Sequence, residues 1–275
     1  MISGVTSMSR CSKYKKAKSI IEQISNEEYK YVIIHYSCES FFDIKDDKTP
    51  RITSIAVKEL ETGQVKSFSI HKCAEFEHIE FNEICNKYDE LERKMLQQFF
   101  DYAEQINSHS KIWLHWNMRN SNYGFEALKN RFNVLTGTIH NISFQNIDLS
   151  ALLINYYGVQ YIGQPRLEKI MEKNSLSKGS FLKGEEEAIA FEQKEYVKLH
   201  QSTLKKVDVI FCILDKVMDN TLKTEATLKS RYGFSIQCYY EVLQSKWWWK
   251  LFVTLFLLIA GGMIGHFIEG IFSKE

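Results

Sequence analysis

This 275-residue sequence has little proline, no closely spaced pair of cysteines and almost no net charge. Only two prolines interrupt the chain, at Pro50 and Pro165, so it has no proline-rich linker and can form long continuous helices and strands. None of the six cysteines stands at a C-x-x-C spacing, which leaves a zinc site built on thiolate pairs without support. The formal net charge is +1, so no basic field over the whole molecule points to nucleic acid.

Phosphate-binding loops and a signal-peptide core are also missing. No G-x-x-x-x-G-K or G-x-G-x-x-G motif occurs, which argues against the common nucleotide-binding loops. Residues 1–20 carry four lysines and no apolar run of the kind that directs export. Because a chain that is not exported stays in a reducing compartment, we expect all six cysteines to be free thiols.

A long apolar run near the C-terminus, at residues 247–268, predicts a single membrane-spanning helix that contacts lipid. Its 22 residues would span about 33 Å as a helix, close to the roughly 30 Å hydrocarbon core of a bilayer. Gly261 and Gly265 form a small-x-x-x-small pair through which a second copy could pack. The N-terminal end of the run has interfacial aromatic residues and a positive charge, which predict that the preceding domain faces the cytoplasm. These residues are Trp247, Trp248, Trp249 and Lys250.

Periodicity in the rest of the chain predicts an α/β domain over residues 28–220. A basic helix at 1–27 precedes this domain, a helical linker at 221–246 follows it, and a short tail at 269–275 ends the chain. The predicted strands are 29–37, 51–60, 64–71, 111–116 and 141–148. The predicted helices are 89–106, 123–132 and 149–157, with further helices from 165 to about 230. The order β-β-β-α-β-α-β-α, followed by helices, predicts a mixed five-stranded sheet with flanking helices.

Short motifs in these elements resemble the DEDD-type 3′–5′ exonucleases, which have the RNase H-like fold. The first strand ends in Ser37-Cys38-Glu39 where the family has Asp-x-Glu, and the hairpin turn reads Leu60-Glu61-Thr62-Gly63. The fourth strand ends in His115-Trp116-Asn117, the fifth leads through Ile147-Asp148-Leu149, and a late helix carries His200. The resemblance implies an RNase H-like domain followed by a membrane anchor.

The resemblance covers about residues 29–215 and implies that the metal site is degenerate. Enzymes of this family hold two divalent ions about 3.5–4 Å apart with four carboxylates. At the matching positions this chain has Ser37, Gly124 and Lys205 in place of the first, third and fourth acids, and keeps only Glu39. One carboxylate cannot hold two Mg²⁺ ions and a lysine repels them, so the resemblance predicts a domain without metal, cofactor or nuclease activity.

A different alignment leaves an active nuclease open. Glu126 or Asp148 could supply the third acid and Asp208 the fourth, and together with Glu39 they would bind Mg²⁺ or Mn²⁺. This alternative predicts a membrane-tethered enzyme that degrades nucleic acid in the presence of metal.

The side chains best suited to binding a ligand follow the fourth strand and lie on the late helix. His115, Asn117 and Arg119 come at a strand end, where mixed sheets place their ligand crevices, and the alternative is a polar loop that satisfies its own backbone. By the resemblance, His200 and Lys205 would face the same cleft. We therefore predict a membrane-anchored pseudoenzyme that binds nucleic acid, a nucleotide or a partner protein. By architectural analogy this layout suits a bacterial stress or phage-defence effector; the third hypothesis is a membrane-anchored scaffold.

Overall fold

A single mixed sheet lies at the centre of the computed structural model, which describes residues 8–39, 49–119, 123–244 and 247–272, the range 264–272 by its backbone alone. The strands in these ranges are β1 (Tyr31–Cys38), β2 (Ile52–Glu59), β3 (Val65–Ser69), β4 (Ile112–His115) and β5 (Asn146–Asp148). Their spatial order is β3-β2-β1-β4-β5. β2 pairs antiparallel with β1 and β3, whereas β4 pairs parallel with β1 and β5. The predicted α/β class with a mixed five-stranded sheet is thereby confirmed, and the order is compatible with an RNase H-like sheet.

Helices cover both faces of the sheet and continue to the end of the described chain. They are α1 (Arg10–Asn26), α2 (Ile70–Phe76), α3 (Tyr88–Asn107), α4 (Phe125–Thr136), α5 (Leu149–Tyr157), α6 (Arg166–Lys173), α7 (Gly184–Glu192), α8 (Tyr196–Met218), α9 (Leu228–Tyr232), α10 (Ile236–Gln244) and α11 (Trp247–Phe272). Two short 3₁₀ turns lie at Glu28–Lys30 and Phe81–Glu83.

Alternate side chains of β1 enter two hydrophobic cores on opposite faces of the sheet. Val32 and Ile34 pack with α2, α3 and α4, whereas Tyr31 and Ile33 pack with α1, α5, α8 and α10. Because both faces are covered, β1 is a nearly continuous apolar run. The helical stripe predicted near the N-terminus is the buried face of α1, so this helix shares the second core; its members are Tyr14, Ala17, Ile21 and Ile24.

Cys11 of α1 and Cys238 of α10 form a disulfide, which corrects the expectation that all six cysteines are free thiols. Their Cα atoms lie 5.9 Å apart because α1 and α10 pack in the same core. The two residues are 227 positions apart in the sequence, so no local spacing signals the pair. The remaining cysteines are free: Cys38, Cys73, Cys85 and Cys212.

Two strands, β3 and β5, differ most from their predicted lengths. β3 ends at Ser69 because Ile70, Cys73 and Ala74 recur at helical spacing and bury one face of α2. β5 keeps only Asn146–Asp148, while Phe144, in the first part of the predicted strand, packs into the core beneath α3 and α4.

Helices α10 and α11 end the described part of the chain. No single helix is long and apolar enough to cross a membrane over the residues whose side chains are described, which in α11 end at Met263. The pair Ile236–Gln244 and Trp247–Met263 meets that requirement together, with a bend of 97° at the break between them. α11 itself continues to Phe272, and its apolar side chains between Leu251 and Ile259 are exposed.

Candidate functional site

The resemblance places the candidate site where β1 ends and α8 crosses it. Ser37, in the position of the family's first acid, is buried, and the Thr53 hydroxyl donates to its carbonyl oxygen at 3.1 Å. Ser54 lies opposite Ser37 on β2, and its hydroxyl contacts that of Thr203 on α8 at 2.6 Å. The side chains that α8 and β1 present at this level are therefore hydroxyls, where a metal site needs carboxylates.

Glu39 is the acid that remains, and it is bound by Arg51. Arg51 Nη2 lies 3.0 Å from Glu39 Oε1, and Arg51 Nε lies 3.1 Å from Oε2, so both carboxylate oxygens accept from one guanidinium. The guanidinium carbon also lies 5.0 Å from the ring centroids of Tyr88 and Phe191. Partial burial raises the pKa of Glu39, but hydrogen bonds from Arg51 and its charge outweigh burial and hold that pKa below its usual value. Glu39 is thus ionised, and its charge is balanced by Arg51.

A second ion pair, Lys206 with Glu187, lies on the inner side of α8. Lys206 is 7% exposed, and its Nζ is 2.6 Å from Glu187 Oε2. The Ser202 hydroxyl donates to the other oxygen of Glu187 at 2.8 Å. Burial first, and the charge of Lys206 second, hold the pKa of His35 on β1 well below its ordinary value. The ammonium group of Lys206 is therefore close to the strand that would carry the metal site.

The resemblance to the exonucleases puts Lys205 at the position of the fourth acid, but the lysine that is buried is the next residue, Lys206. The side chain of Lys205 lies over Gly179, where its Cε would be 3.6 Å from an added Cβ. Lys206 follows Thr203 by three positions and precedes Ile210 by four, so it lies on the buried stripe of α8. The sequence signal that identifies Lys206 is its place within the apolar stripe of α8, which the motif comparison does not consider.

Asp148, Asn117 and Arg119 come together where β4 and β5 end. Asp148 caps α5 by accepting from Ala151 N at 3.3 Å, and it accepts from Asn117 N at the same distance. Arg119 Nε forms an ion pair with the same carboxylate, and Arg119 Nη2 donates to Asn117 Oδ1 at 2.6 Å. Asp148 therefore serves as a helix cap and the partner of an arginine.

His115 has both ring nitrogens engaged within the fold. Met118 N donates to Nδ1 at 3.1 Å, which leaves the proton of the neutral ring on Nε2 to donate to Asn146 Oδ1 at 3.1 Å. The ring is 1% exposed, and burial lowers the pKa of His115. It supports the loop after β4 and is not open to a ligand.

His200 lies against α2, where its ring centroid is 5.0 Å from that of His71. Burial, with Lys72 and His71 adding to it, lowers the pKa of His200 to about 4, and burial also lowers that of His71. Both rings are therefore neutral at pH 7. The structure joins His200 to α2 rather than to the residues that follow β4.

The acids of the active-nuclease alternative do not come together in one cluster. Glu126 is exposed on α4 and pairs with Lys129 at 2.9 Å. Asp208 binds Lys58 at 2.6 Å, and Lys58 pairs with Ile33 near the start of β1. Glu39 lies six positions after Ile33, so their Cα atoms are about 20 Å apart along the strand at about 3.3 Å per residue. Across the described part of the chain, no group of three or more His, Cys, Asp or Glu residues could hold a metal ion.

A cavity of about 300 Å³ opens beside Glu39 and Arg51. Phe191 and Tyr196 supply aromatic walls, and the exposed Lys194 lies at its edge. Within the described ranges Lys194 has no ion-pair partner. The exposed Glu192 also lines the cavity, so among the described residues the cavity offers an aromatic face and one unpaired side chain of each charge next to the Glu39–Arg51 pair.

Comparison with known proteins finds no relative for this arrangement. No protein-family model matches the chain, and neither the curated proteins nor the solved structures contain a match. The likeness to the exonucleases therefore rests on strand order and partial motifs.

Proposed function

We propose that this chain is a membrane-anchored binding protein whose exonuclease-like domain does not hydrolyse nucleic acid. The observation that carries the proposal is that three acids at the ends of the strands and on α7 each have a cation within ion-pair distance. The pairs are Glu39 with Arg51, Asp148 with Arg119, and Glu187 with Lys206. The site therefore has little net negative charge with which to hold divalent ions.

Electrostatic repulsion supports the same conclusion. A Mg²⁺ ion bound to Glu187 would lie roughly 4 Å from the ammonium group of Lys206, where the repulsion is about 8 kcal/mol at an effective dielectric constant of 20. The ion would also have to displace Arg51 from both oxygens of Glu39. Both costs oppose binding of a metal pair.

The ligand we propose is a nucleotide unit, free or within a single strand. The cavity beside Glu39 combines Phe191, on which a base can stack, with Lys194, which can contact a phosphate. Its volume of about 300 Å³ is at the lower end of the range for small-molecule sites.

We propose that α11 anchors the protein in a membrane. Its 26 residues would span about 39 Å, and apolar side chains point outward on all sides rather than into a protein core. An added Cβ at Gly261 would meet nothing within 4 Å, so this face has room for a second helix, while Gly265 falls in the part described by backbone alone.

We propose the cytoplasmic side for the α/β domain because Lys250 and the tryptophans stand at the N-terminal end of the apolar run. The Cys11–Cys238 disulfide is instead typical of an oxidising compartment. Protease treatment of sealed vesicles with the cytoplasmic face outward decides between the two. Digestion of the domain supports the proposal, and protection would overturn this orientation while leaving the anchor in place.

Catalysis and binding can be tested in one assay. The full chain in detergent micelles is incubated with labelled single- and double-stranded DNA and RNA, with Mg²⁺ or Mn²⁺. We expect intact substrate and a mobility shift that weakens in Lys194→Glu. Degradation that is lost in Glu39→Gln but kept in the matched control Glu172→Gln, which changes an exposed acid on α6, would establish the nuclease instead. Absence of both binding and cleavage would favour the scaffold.

A further inference from the structure

Helix α10 has apolar side chains on two faces, and no residue in the described part of the chain covers one of them. The inner face is fixed to the domain: Cys238 is 1% exposed and bonded to Cys11, and Tyr239 and Val242 pack against the second core. The outer face, which we define as Phe234, Ile236 and Tyr240, belongs to neither hydrophobic core.

The exposure of this outer face is large. Phe234 is 83% exposed, Ile236 is 85% exposed and Tyr240 is 52% exposed. Ile236 and Tyr240 are four positions apart and so lie on the same side of the helix, with Phe234 in the turn just before it. A cluster of large apolar side chains on a surface marks a place where another phase or molecule is bound.

The geometry points to the surface of a lipid bilayer as the occupant, and we propose that α10 lies in the membrane interface with its outer face among the headgroups. This inference rests on the proposed anchoring by α11. Three Cα–Cα steps separate Gln244 from Trp247, so the end of α10 lies within about 11 Å of the start of α11. The helices are bent by 97°, so α10 runs parallel to the bilayer when α11 crosses it.

Charge at the same surface fits anionic headgroups. Lys229 Nζ lies 4.5 Å from the ring centroid of Phe234, and Lys13 lines the same cavity of about 560 Å³ as these two residues. Neither lysine has a carboxylate partner within the described ranges. A helix with an apolar face and adjacent lysines binds an interface through buried apolar area and attraction to anionic lipids. Through the bond between Cys238 and Cys11, the interfacial helix would also set the orientation of the domain relative to the membrane.

Site-specific photocrosslinking tests this arrangement in the full chain. A benzophenone amino acid replaces Ile236 or Tyr240, and the protein is reconstituted into vesicles of phosphatidylcholine and phosphatidylglycerol. The matched control is Val134, which is 63% exposed on α4, a helix that packs on the opposite face of the sheet. A probe at Leu257 in α11, which is 63% exposed, reports on the anchor itself.

We expect lipid adducts at positions 236 and 240 in at least about tenfold excess over position 134, a ratio that corresponds to about 1.4 kcal/mol. Adducts at 257 but not at 236 or 240 would overturn the interfacial helix and leave the anchor standing. Absence of lipid adducts at 257 would overturn the anchor and this inference with it. Protein adducts at 236 and 240 in place of lipid adducts would show that the outer face binds a protein.

Discussion

The ion pair between Glu187 and Lys206 makes a quantitative prediction about stability. Glu187→Gln removes the carboxylate and leaves an ammonium group that is 7% exposed without its partner. Removing one member of a buried pair costs about 3–5 kcal/mol. Because the Glu187 side chain is 14% exposed, we expect the lower end, about 3 kcal/mol, which lowers the Tm by roughly 6–12 °C for a domain of this size.

The double variant separates the lost partner from lost packing. Lys206→Met keeps most of the aliphatic side chain against Phe181, whose ring centroid is 5.4 Å from Lys206 Nζ. In the Glu187→Gln background it removes the unpaired charge, so we expect stability within about 1 kcal/mol of the parent protein. Thermal unfolding followed by far-ultraviolet circular dichroism measures all variants. The exposed Glu126→Gln serves as control and should leave the Tm unchanged.

Two results would refute this reasoning. A loss below about 1 kcal/mol in Glu187→Gln would mean that the ammonium group of Lys206 finds water or another partner. A double variant as unstable as the sum of the two single variants would mean that the residues do not act as a pair.

Three further predictions follow from buried groups. Burial depresses the pKa of His200 to about 4 from 6.5, so its contribution is complete above pH 6.5 and falls toward pH 4 by at most about 1.4 kcal/mol per pH unit. Because burial also lowers the pKa of His35, His71 and His115, the free energy of unfolding in urea should fall as the pH is lowered in the parent and fall less steeply in His200→Gln, and an unchanged slope would contradict this account. Glu92 is 0% exposed and accepts hydrogen bonds from Arg131 at 2.6 and 2.9 Å. Glu92→Gln should therefore lower the free energy of unfolding in urea by about 3 kcal/mol, and a loss below about 1 kcal/mol would contradict the buried pair. Gly158 has φ +101°, and an added Cβ would lie 2.5 Å from a carbonyl oxygen of α9, so Gly158→Ala should lower the free energy of unfolding by more than about 1 kcal/mol. The loss should exceed that of Gly137→Ala, where an added Cβ would have no atom within 4 Å, and equal losses would exclude the clash as the cause.

Sequence periodicity predicted the elements that bury a regular face. The stripe Tyr14, Ala17, Ile21 and Ile24 became the buried side of α1, and the dense apolar run after residue 28 became β1. These predictions were confirmed because helical and strand periodicities depend on which side faces the core, and that information is local.

The contacts that define the candidate site were beyond such reasoning. Glu39 is 12 residues from Arg51, and Cys11 is 227 residues from Cys238, so each pairing depends on how elements pack. The predicted third strand runs past the end of β3 because Ile70 suits a strand as well as a helix. Only tertiary packing determines that Ile70 begins α2.

The central claim, that ion pairs have replaced the metal site of an exonuclease-like domain, is tested most directly by titrating the full chain with Mn²⁺. Enhanced relaxation of water protons reports each bound ion. We expect no saturable binding in the parent protein, since Glu39 and Glu187 are held by Arg51 and Lys206. Saturable binding of two ions that disappears in Glu39→Gln but persists in Glu172→Gln, a change at an exposed acid on α6, would contradict the claim.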